Sequence, residues 1–272
     1  MISPETLIVI IAFIFGAAIG SFMNVCIYRL PLEKSLVLPR SFCPKCGHQI
    51  AWFENIPLFS YCLLRCKCRH CGNPISFRYF FVELLTALVF AYLALLYTTS
   101  GGSIPVFLLK AAFICSLIVV TFIDFDFQII PNEISYGGAF IAVIASFLLP
   151  ELHGTSSHIR GLGLSLLGLI VGSGSLYLLG VIGTWVFKKD AMGMGDVKLL
   201  GMVGAFLGWQ MAFFSLFAGS ILGAVVSFFL LITGKVKMGN KIPFGPYLSA
   251  GAVVALLWGQ DIFKLYLKWI FG

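Results

Sequence analysis

Long apolar runs dominate the chain and are separated by short polar stretches. A membrane-spanning helix needs about 20 mainly apolar residues. On that rule the pattern predicts eight spans, with seven as the alternative, and hence an all-α polytopic membrane protein. The predicted spans cover residues 5–27, 79–99, 104–123, 134–150, 160–187, 197–209, 210–233 and 244–270. The sixth is short and starts at Asp196, so it is either a half-helix or the first part of the seventh.

The overall composition supports the same class of protein. Hydrophobic residues make up 60% of the 272 residues and charged residues 11%, and the mean hydropathy is +1.01. These values exclude an ordinary water-soluble domain. The first apolar run has no basic residue before it and no clean small-residue cleavage site. We therefore expect a retained helix and not a removed signal peptide.

Pairs of glycines four residues apart recur in the apolar runs. They lie at positions 16/20, 168/172, 204/208 and 219/223. Residues four apart share one helix face, and small residues there let neighbouring backbones approach closely in lipid. The pattern predicts helix–helix contacts at these positions.

The basic residues indicate the orientation of the chain. The net charge is +7, and eight of the 18 basic residues lie between positions 29 and 78, beside a predicted helix end. Positive-inside bias and anionic lipid explain this placement better than nucleic acid does. With the N-terminus outside, fourteen basic residues fall on the inner side. The loop at 28–78 is then cytoplasmic, and both Asp124 and Asp196 lie at the cytoplasmic membrane boundary.

Two C-x-x-C motifs in this loop predict a zinc site. Six of the eight cysteines lie here, and 21 residues separate the two motifs. The four motif cysteines are Cys43, Cys46, Cys68 and Cys71. Four thiolates suit a tetrahedral zinc ion. One alternative to zinc is a pair of disulfides, which a reducing cytosol disfavours. Another is a redox-active C-x-x-C motif, but the βαβ unit that usually carries such a motif is missing here.

The remaining loop residues leave the ligand assignment open. Cys66 lies two residues before Cys68 and could replace it as a ligand, whereas Cys62 is expected to be buried apolar filling. His48 and His70 are possible ligands as well. Because about fifty residues bury little core, the module would need the free energy of metal binding to fold.

Asp124 and Asp196 are costly charges in a chain built for lipid, so each is a candidate functional group. Asp126 is two residues from Asp124, so only one of these two should face the bundle interior. Two neighbouring carboxylates that share a proton can hydrolyse a peptide, because the ionised one activates water while the neutral one polarises the carbonyl.

Asp196 also has a purely structural interpretation. An aspartate before an apolar helix is a favoured N-cap, and Asn132 is expected to cap the fourth span in the same way. Gly193 and Gly195 would let the chain break beside Asp196. Lys198 either biases the charge of the pair or marks the inner edge of the helix. Two other classes also stay open: a proton-coupled transporter that uses the same aspartates, and a zinc-dependent scaffold.

An ordered set of motifs carries a family resemblance over most of the chain. The motifs are GSFMNV at 20–25, RLP at 29–31, RSFCPKCGH at 40–48, WFENIP at 52–57, CGNPIS at 71–76, ELLT at 83–86, ID at 123–124, IPN at 130–132 and GMGD at 193–196. With these motifs the chain resembles the bacterial prepilin peptidases, also called type IV leader peptidase/N-methyltransferases.

The resemblance implies an inner-membrane aspartyl protease that acts for type IV pili or type II secretion. It would remove the basic leader of prepilins or pseudopilins after a glycine on the cytoplasmic side. It would then methylate the new N-terminal residue with S-adenosylmethionine. The catalytic aspartates carry over to Asp124 and Asp196. The zinc ligands carry over to Cys43, Cys46, Cys68 and Cys71, although Cys66 departs from the family pattern.

The expected organisation combines both lines of reasoning. We expect a first transmembrane helix at 1–27, a zinc-binding, methyltransferase-associated module at 28–78 and a transmembrane peptidase domain at 79–272. No Rossmann fold can be drawn from the residues, so a cofactor pocket would come from the module and helix ends. Glu54 and Asn55 are the polar candidates for that pocket.

Overall fold

The protein is mainly helical in the computed structural model, which describes residues 3–101, 103–189, 192–234 and 242–271. The α-helices are α1 (Pro4–Arg29), α2 (Phe59–Leu63), α3 (Phe77–Ser100), α4 (Ile104–Phe127), α5 (Asn132–Leu148), α6 (His158–Phe187), α7 (Met194–Leu207), α8 (Trp209–Ile232) and α9 (Gly245–Phe271). Short 3-10 turns cover Leu30–Leu32, Trp52–Asn55 and Pro150–His153. Across these described ranges, β-structure is limited to two isolated bridges.

Six helices in the described part of the chain are long and apolar enough to cross a membrane, namely α1, α3, α4, α6, α8 and α9. The all-α membrane fold with a cysteine-rich segment between its first two spans is confirmed. The count of eight spans is not confirmed. Helix α5 has 17 residues, and α7 has 14, of which nine are buried. Burial inside a bundle gives a helix the same apolar composition as contact with lipid does.

The helix starts agree only in part with the N-caps predicted from the sequence. Ser3 and Ser76 cap α1 and α3 by accepting a backbone N–H with their hydroxyls. Asn132 and Asp196, however, are not caps. Pro131 precedes α5 and Gly193 precedes α7, both in extended backbone conformations. Asn132 and Asp196 therefore lie inside the first turn of their helices, with their side chains available for other partners.

The chain divides into two compact units, Met1–Val119 and Val120–Gly272, with the boundary inside α4. In the first unit, α1 packs along α3 through Gly16 and Gly20. A Cβ atom at Gly16 would lie 2.7 Å from Cβ of Phe90, and one at Gly20 would lie 2.7 Å from Cα of Glu83. Any side chain at these two positions would push the helices apart, as the glycine spacing predicts.

The second unit uses the same kind of contact. Gly168 of α6 meets Gly204 of α7 backbone to backbone, and a Cβ at Gly219 of α8 would lie 2.9 Å from Cα of Leu248 in α9. Gly208 also lies close to α6, since a Cβ at Gly168 would be 3.1 Å from its carbonyl carbon. It separates α7 from α8 with a φ of +85°, a conformation that favours glycine, so the two helices are distinct.

Candidate active site and metal centre

Asp124 lies in the last turn of α4 and is 6% exposed. Its Oδ2 accepts a hydrogen bond of 3.0 Å from the backbone N–H of Gly245, the first residue of α9. A Cβ at Gly245 would lie only 2.7 Å from the same oxygen. The absence of a side chain at Gly245 therefore lets the backbone donor reach the carboxylate.

Asp196 is the third residue of α7 and is half-buried. The preceding Gly193 lies against the carboxylate, since a Cβ there would be 3.2 Å from Oδ2 of Asp196. Gly195 packs on Ile130, with 3.1 Å between its would-be Cβ and Cβ of Ile130. The two glycines thus give the chain room to enter the helix where the carboxylate is held.

One cavity of about 1050 Å³ in the second unit is lined by both Asp124 and Asp196. Its wall on the α6 side carries Tyr177, Val181 and Trp185. The site therefore joins two carboxylates to a large, mainly apolar space. Such an arrangement can hold an apolar segment of a substrate while acid–base chemistry takes place at one end.

The environment of the two acids favours a shared proton. Burial, and then the charge of Asp124, raise the pKa of Asp196 to about 7. Near neutral pH, one ionised and one neutral carboxyl can therefore coexist in the cavity. Asp126 is exposed, so only one acid of the 124/126 pair faces the interior, as predicted.

Lys198 lies one turn from the glycine-flanked start of α7. Its ammonium donates to Oδ1 of Asn132 at 2.9 Å and lies 5.0 Å from the ring centre of Tyr136. Both partners belong to the first turns of α5. Lys198 therefore ties the first turns of α7 and α5 together.

The four motif cysteines come together in the first unit. The sulfur atoms of Cys43, Cys46, Cys68 and Cys71 all lie within 4.8 Å of one another. The Sγ atoms of Cys43 and Cys71 are 3.9 Å apart. Sulfurs bound at 2.3 Å to one tetrahedral ion are about 3.8 Å apart, so the cluster has the geometry of a four-thiolate metal site.

The two C-x-x-C motifs have the same local structure. In each, a glycine N–H closes the turn onto the first cysteine carbonyl, at 2.9 Å for Gly47 to Cys43 and 2.9 Å for Gly72 to Cys68. Both glycines have positive φ, +71° and +67°. The turns direct the sulfurs of each motif toward the other.

The thiol groups show why this cluster suits a cation. The backbone N–H groups of Cys46 and Lys45 lower the pKa of Cys43 to about 7. For Cys71, the N–H of Asn73 acts in the same direction, but desolvation and the three neighbouring sulfurs outweigh it and raise the pKa to about 11. Four thiolates this close require a positive ion to be ionised together.

The other cysteines and the histidines of the loop are not part of the four-sulfur cluster. Cys66 is exposed and outside the cluster, and Cys62 is exposed as well, so its predicted burial is wrong. It lies in the short helix α2, which is too small to bury both of its faces. All eight cysteines are free, and the rings of His48 and His70 stack at a centroid distance of 3.6 Å.

A second cavity, of about 420 Å³, lies in the first unit beside the cysteine cluster, and both Glu54 and Asn55 line it. Glu54 has its own partners, since it forms an ion pair of 3.5 Å with Arg69 and accepts the N–H of Ala51 at 3.2 Å. The two predicted cofactor residues are thus at one cavity, but Glu54 is already neutralised by Arg69.

Three residues at the two sites were not singled out from the sequence as candidates. Asn24 and Glu83 are buried polar side chains in the wall of the smaller cavity. A sequence signal for both was present, because polar residues in apolar spans are functional candidates. Gly245 gave no such signal, because it acts through a backbone N–H that meets Asp124 only in the folded chain.

Comparison with known proteins places both units in one family. Residues 14–97 match the bacterial peptidase A24 N-terminal domain, and residues 111–228 match the type IV leader peptidase family. No solved structure matches the chain significantly.

Three similar curated proteins each carry the name prepilin leader peptidase/N-methyltransferase. The protein of Aeromonas hydrophila is 36% identical, over 94% of this chain and 93% of the relative. That of Aeromonas salmonicida is 35% identical, over 96% and 94%. That of Pseudomonas aeruginosa is 34% identical, over 96% and 93%. The chain therefore belongs to the family of prepilin leader peptidase/N-methyltransferases.

Proposed function

We propose that the protein is a membrane aspartic endopeptidase that removes the basic leader from type IV prepilins or pseudopilins after a glycine, and then N-methylates the new N-terminal residue. One observation carries the peptidase half. Asp124 and Asp196, which are far apart in the sequence, line the same cavity. The family membership supports the methyltransferase half and disfavours the transporter alternative.

In the proposed peptidase mechanism, the pair of Asp124 and Asp196 holds one proton. The ionised carboxylate takes a proton from a water molecule, and the neutral one hydrogen-bonds the carbonyl of the peptide that is cleaved. The N–H of Gly245 holds the Asp124 carboxylate in place. Because the two acids titrate as a pair, neither has a fixed role.

The substrate chemistry fits this cavity. A prepilin consists of a basic leader followed by an apolar helix, and the cavity combines two acids with an apolar wall of Tyr177, Val181 and Trp185. The leader would meet the acids while the apolar helix stays in the bilayer. No separate soluble cleft is required for this reaction.

The proposed cofactors are zinc and S-adenosylmethionine. Zinc at Cys43, Cys46, Cys68 and Cys71 would hold the module together, which the sulfur geometry supports. When bound, S-adenosylmethionine supplies an electrophilic methyl group to the new amino terminus. Glu54 and Asn55 line a cavity of suitable size for it.

We further propose the location and organisation. The protein would lie in the bacterial inner membrane with its N-terminus outside and with the module and both aspartates on the cytoplasmic side, as the positive-inside bias favours. The three-part division at residues 27 and 78 stays a prediction. Lipid and prepilins or pseudopilins are the expected partners, and nucleic acid is not.

The test is an assay of both activities in one sample. The full-length protein in lipid vesicles is incubated with a prepilin, with and without S-adenosylmethionine, and the products are analysed by mass spectrometry. We expect leader loss in both samples and one added methyl only with the methyl donor. An intact prepilin in the presence of folded, metal-loaded protein would contradict the proposal.

A further inference from the structure

We infer that the smaller cavity, which lies between the ends of α1 and α3 and the cysteine module, is the S-adenosylmethionine site, with Glu83 and Asn24 as its main polar contacts. This inference rests on the proposed methyltransferase function. It deepens that function because it names, as the main polar contacts of the ligand, two residues that lie inside predicted membrane helices.

The cavity has the size and lining of a small-molecule site. Its volume of about 420 Å³ lies within the range of about 300–1,000 Å³ that is usual for ligand pockets. Aromatic side chains, including Phe42, Tyr61 and Phe80, form much of its wall. Such rings can stack on an adenine base and attract a cation such as a sulfonium.

Asn24 offers an unused acceptor at this cavity. It is 5% exposed, and its amide nitrogen donates to the carbonyl of Tyr79 at 3.0 Å, which fixes the orientation of the amide. Its Oδ1 is buried without a hydrogen-bond donor among the described residues. Because a buried unsatisfied acceptor costs about 1–3 kcal/mol, this oxygen suits a ligand N–H or O–H group.

Glu83 offers a buried carboxyl group at the same cavity. It is 8% exposed, its Oε2 accepts the N–H of Leu58 at 2.8 Å, and the hydroxyl of Ser21 also hydrogen-bonds it. Across the described residues, Glu83 has no ion-pair partner. A buried carboxylate is favourable only beside a positive charge, and S-adenosylmethionine carries two, its sulfonium and its ammonium.

Three other charged residues of the wall have partners, and one of them, Arg78, hydrogen-bonds the side chain of Tyr79. The guanidinium of Arg29 donates to the carbonyl oxygens of Ser35 at 2.8 Å and Pro39 at 2.6 Å, so it holds the chain after α1. Glu54 is paired with Arg69. Glu83 is therefore the acid of this wall whose charge a cationic ligand would neutralise.

The cysteine cluster forms part of the same wall. Cys43 and Cys68 line the cavity as well as the metal site. Few residues of the surrounding loop are buried, so the ion is needed to fix that wall. Ligand binding should therefore depend on the metal.

The test measures binding of S-adenosylmethionine to the full-length, metal-loaded protein by isothermal titration calorimetry. Glu83→Gln keeps the shape of the side chain and an acceptor for Leu58, and should weaken binding about tenfold or more. Asn24→Ala should weaken it as well. The matched control is Glu133→Gln, an exposed acid in the first turn of α5, which should bind like the wild type.

Metal content and thermal unfolding of each variant report whether it is folded. Wild-type affinity in folded Glu83→Gln and Asn24→Ala would overturn the inference. If those variants also methylate the processed peptide normally, the methyltransferase function stands and only its location is wrong. If the wild type neither binds the donor nor methylates the peptide, it is the proposed function itself that fails.

Discussion

The cysteine module and the aspartate cavity position their functional side chains in different ways. In the segment from residue 30 to residue 76, only Cys43 and Ser60 are buried, and the sulfurs are positioned by tight turns close in sequence. Helix α7 has nine buried residues among its 14, and the two acids are brought together by packed helices. The module therefore depends on an ion for its structure, whereas the aspartate cavity depends on helix packing.

The largest effect is expected from removing one sulfur. Cys43→Ser should release the metal and unfold the module, since structural zinc contributes about 10–16 kcal/mol of apparent binding free energy in small domains. The affinity for S-adenosylmethionine should be lost with it. Elemental analysis and calorimetry measure both effects. Cys62→Ser, at an exposed cysteine outside the cluster, is the control, and equal metal loss in the two variants would contradict a four-thiolate site.

A smaller effect is expected from a single methyl group in the second unit. Gly245→Ala would place a Cβ 2.7 Å from Oδ2 of Asp124 and must displace the carboxylate or its backbone donor. Because misplacement by about 1 Å can cost about 10²-fold in rate, leader cleavage should fall by about 10–100-fold.

The control for that variant is Gly137→Ala in α5. A Cβ at Gly137 meets nothing within 4 Å, and alanine stabilises a helix relative to glycine by about 0.5–1 kcal/mol. Cleavage by this variant should be unchanged. If both variants cleaved at the wild-type rate, the contact between α9 and Asp124 would have no part in catalysis.

The smallest effect concerns pH. The pKa of Asp196 is raised to about 7, so the neutral carboxyl of the pair is lost as the pH rises above that value. Cleavage should then fall about tenfold for each further pH unit. Initial rates between pH 6 and 8, measured with Asp126→Asn as a reference for general pH effects, test this. A flat profile would contradict the shared proton.

The same contrast explains what the sequence could predict. The metal cluster was predictable residue by residue, because its geometry follows from short spacings and from Gly47 and Gly72 at the turns. For Asp124 and Asp196, the sequence predicted only that both lie at the same membrane boundary. Their shared cavity depends on how α6 packs on α7 and on the contact of Asp124 with the start of α9, which no local pattern encodes.

The failures of sequence reasoning have physical causes as well. Helix α7 looked like a lipid-facing span because a helix buried by other helices is just as apolar. Asp196 looked like an N-cap because a glycine and an acid before an apolar run are typical of helix starts, yet the helix begins two residues earlier, at Met194. The N–H of Gly245 has no signature in the sequence at all.

The most direct test of the account is the rate of leader cleavage by Asp124→Asn and Asp196→Asn, measured by mass spectrometry on the full-length protein in lipid vesicles. Asp126→Asn is the matched control, since this acid is exposed beside the site. The account predicts a loss of about 10²-fold or more in each of the first two variants and a normal rate in the control. Wild-type cleavage by either Asp124→Asn or Asp196→Asn would contradict it.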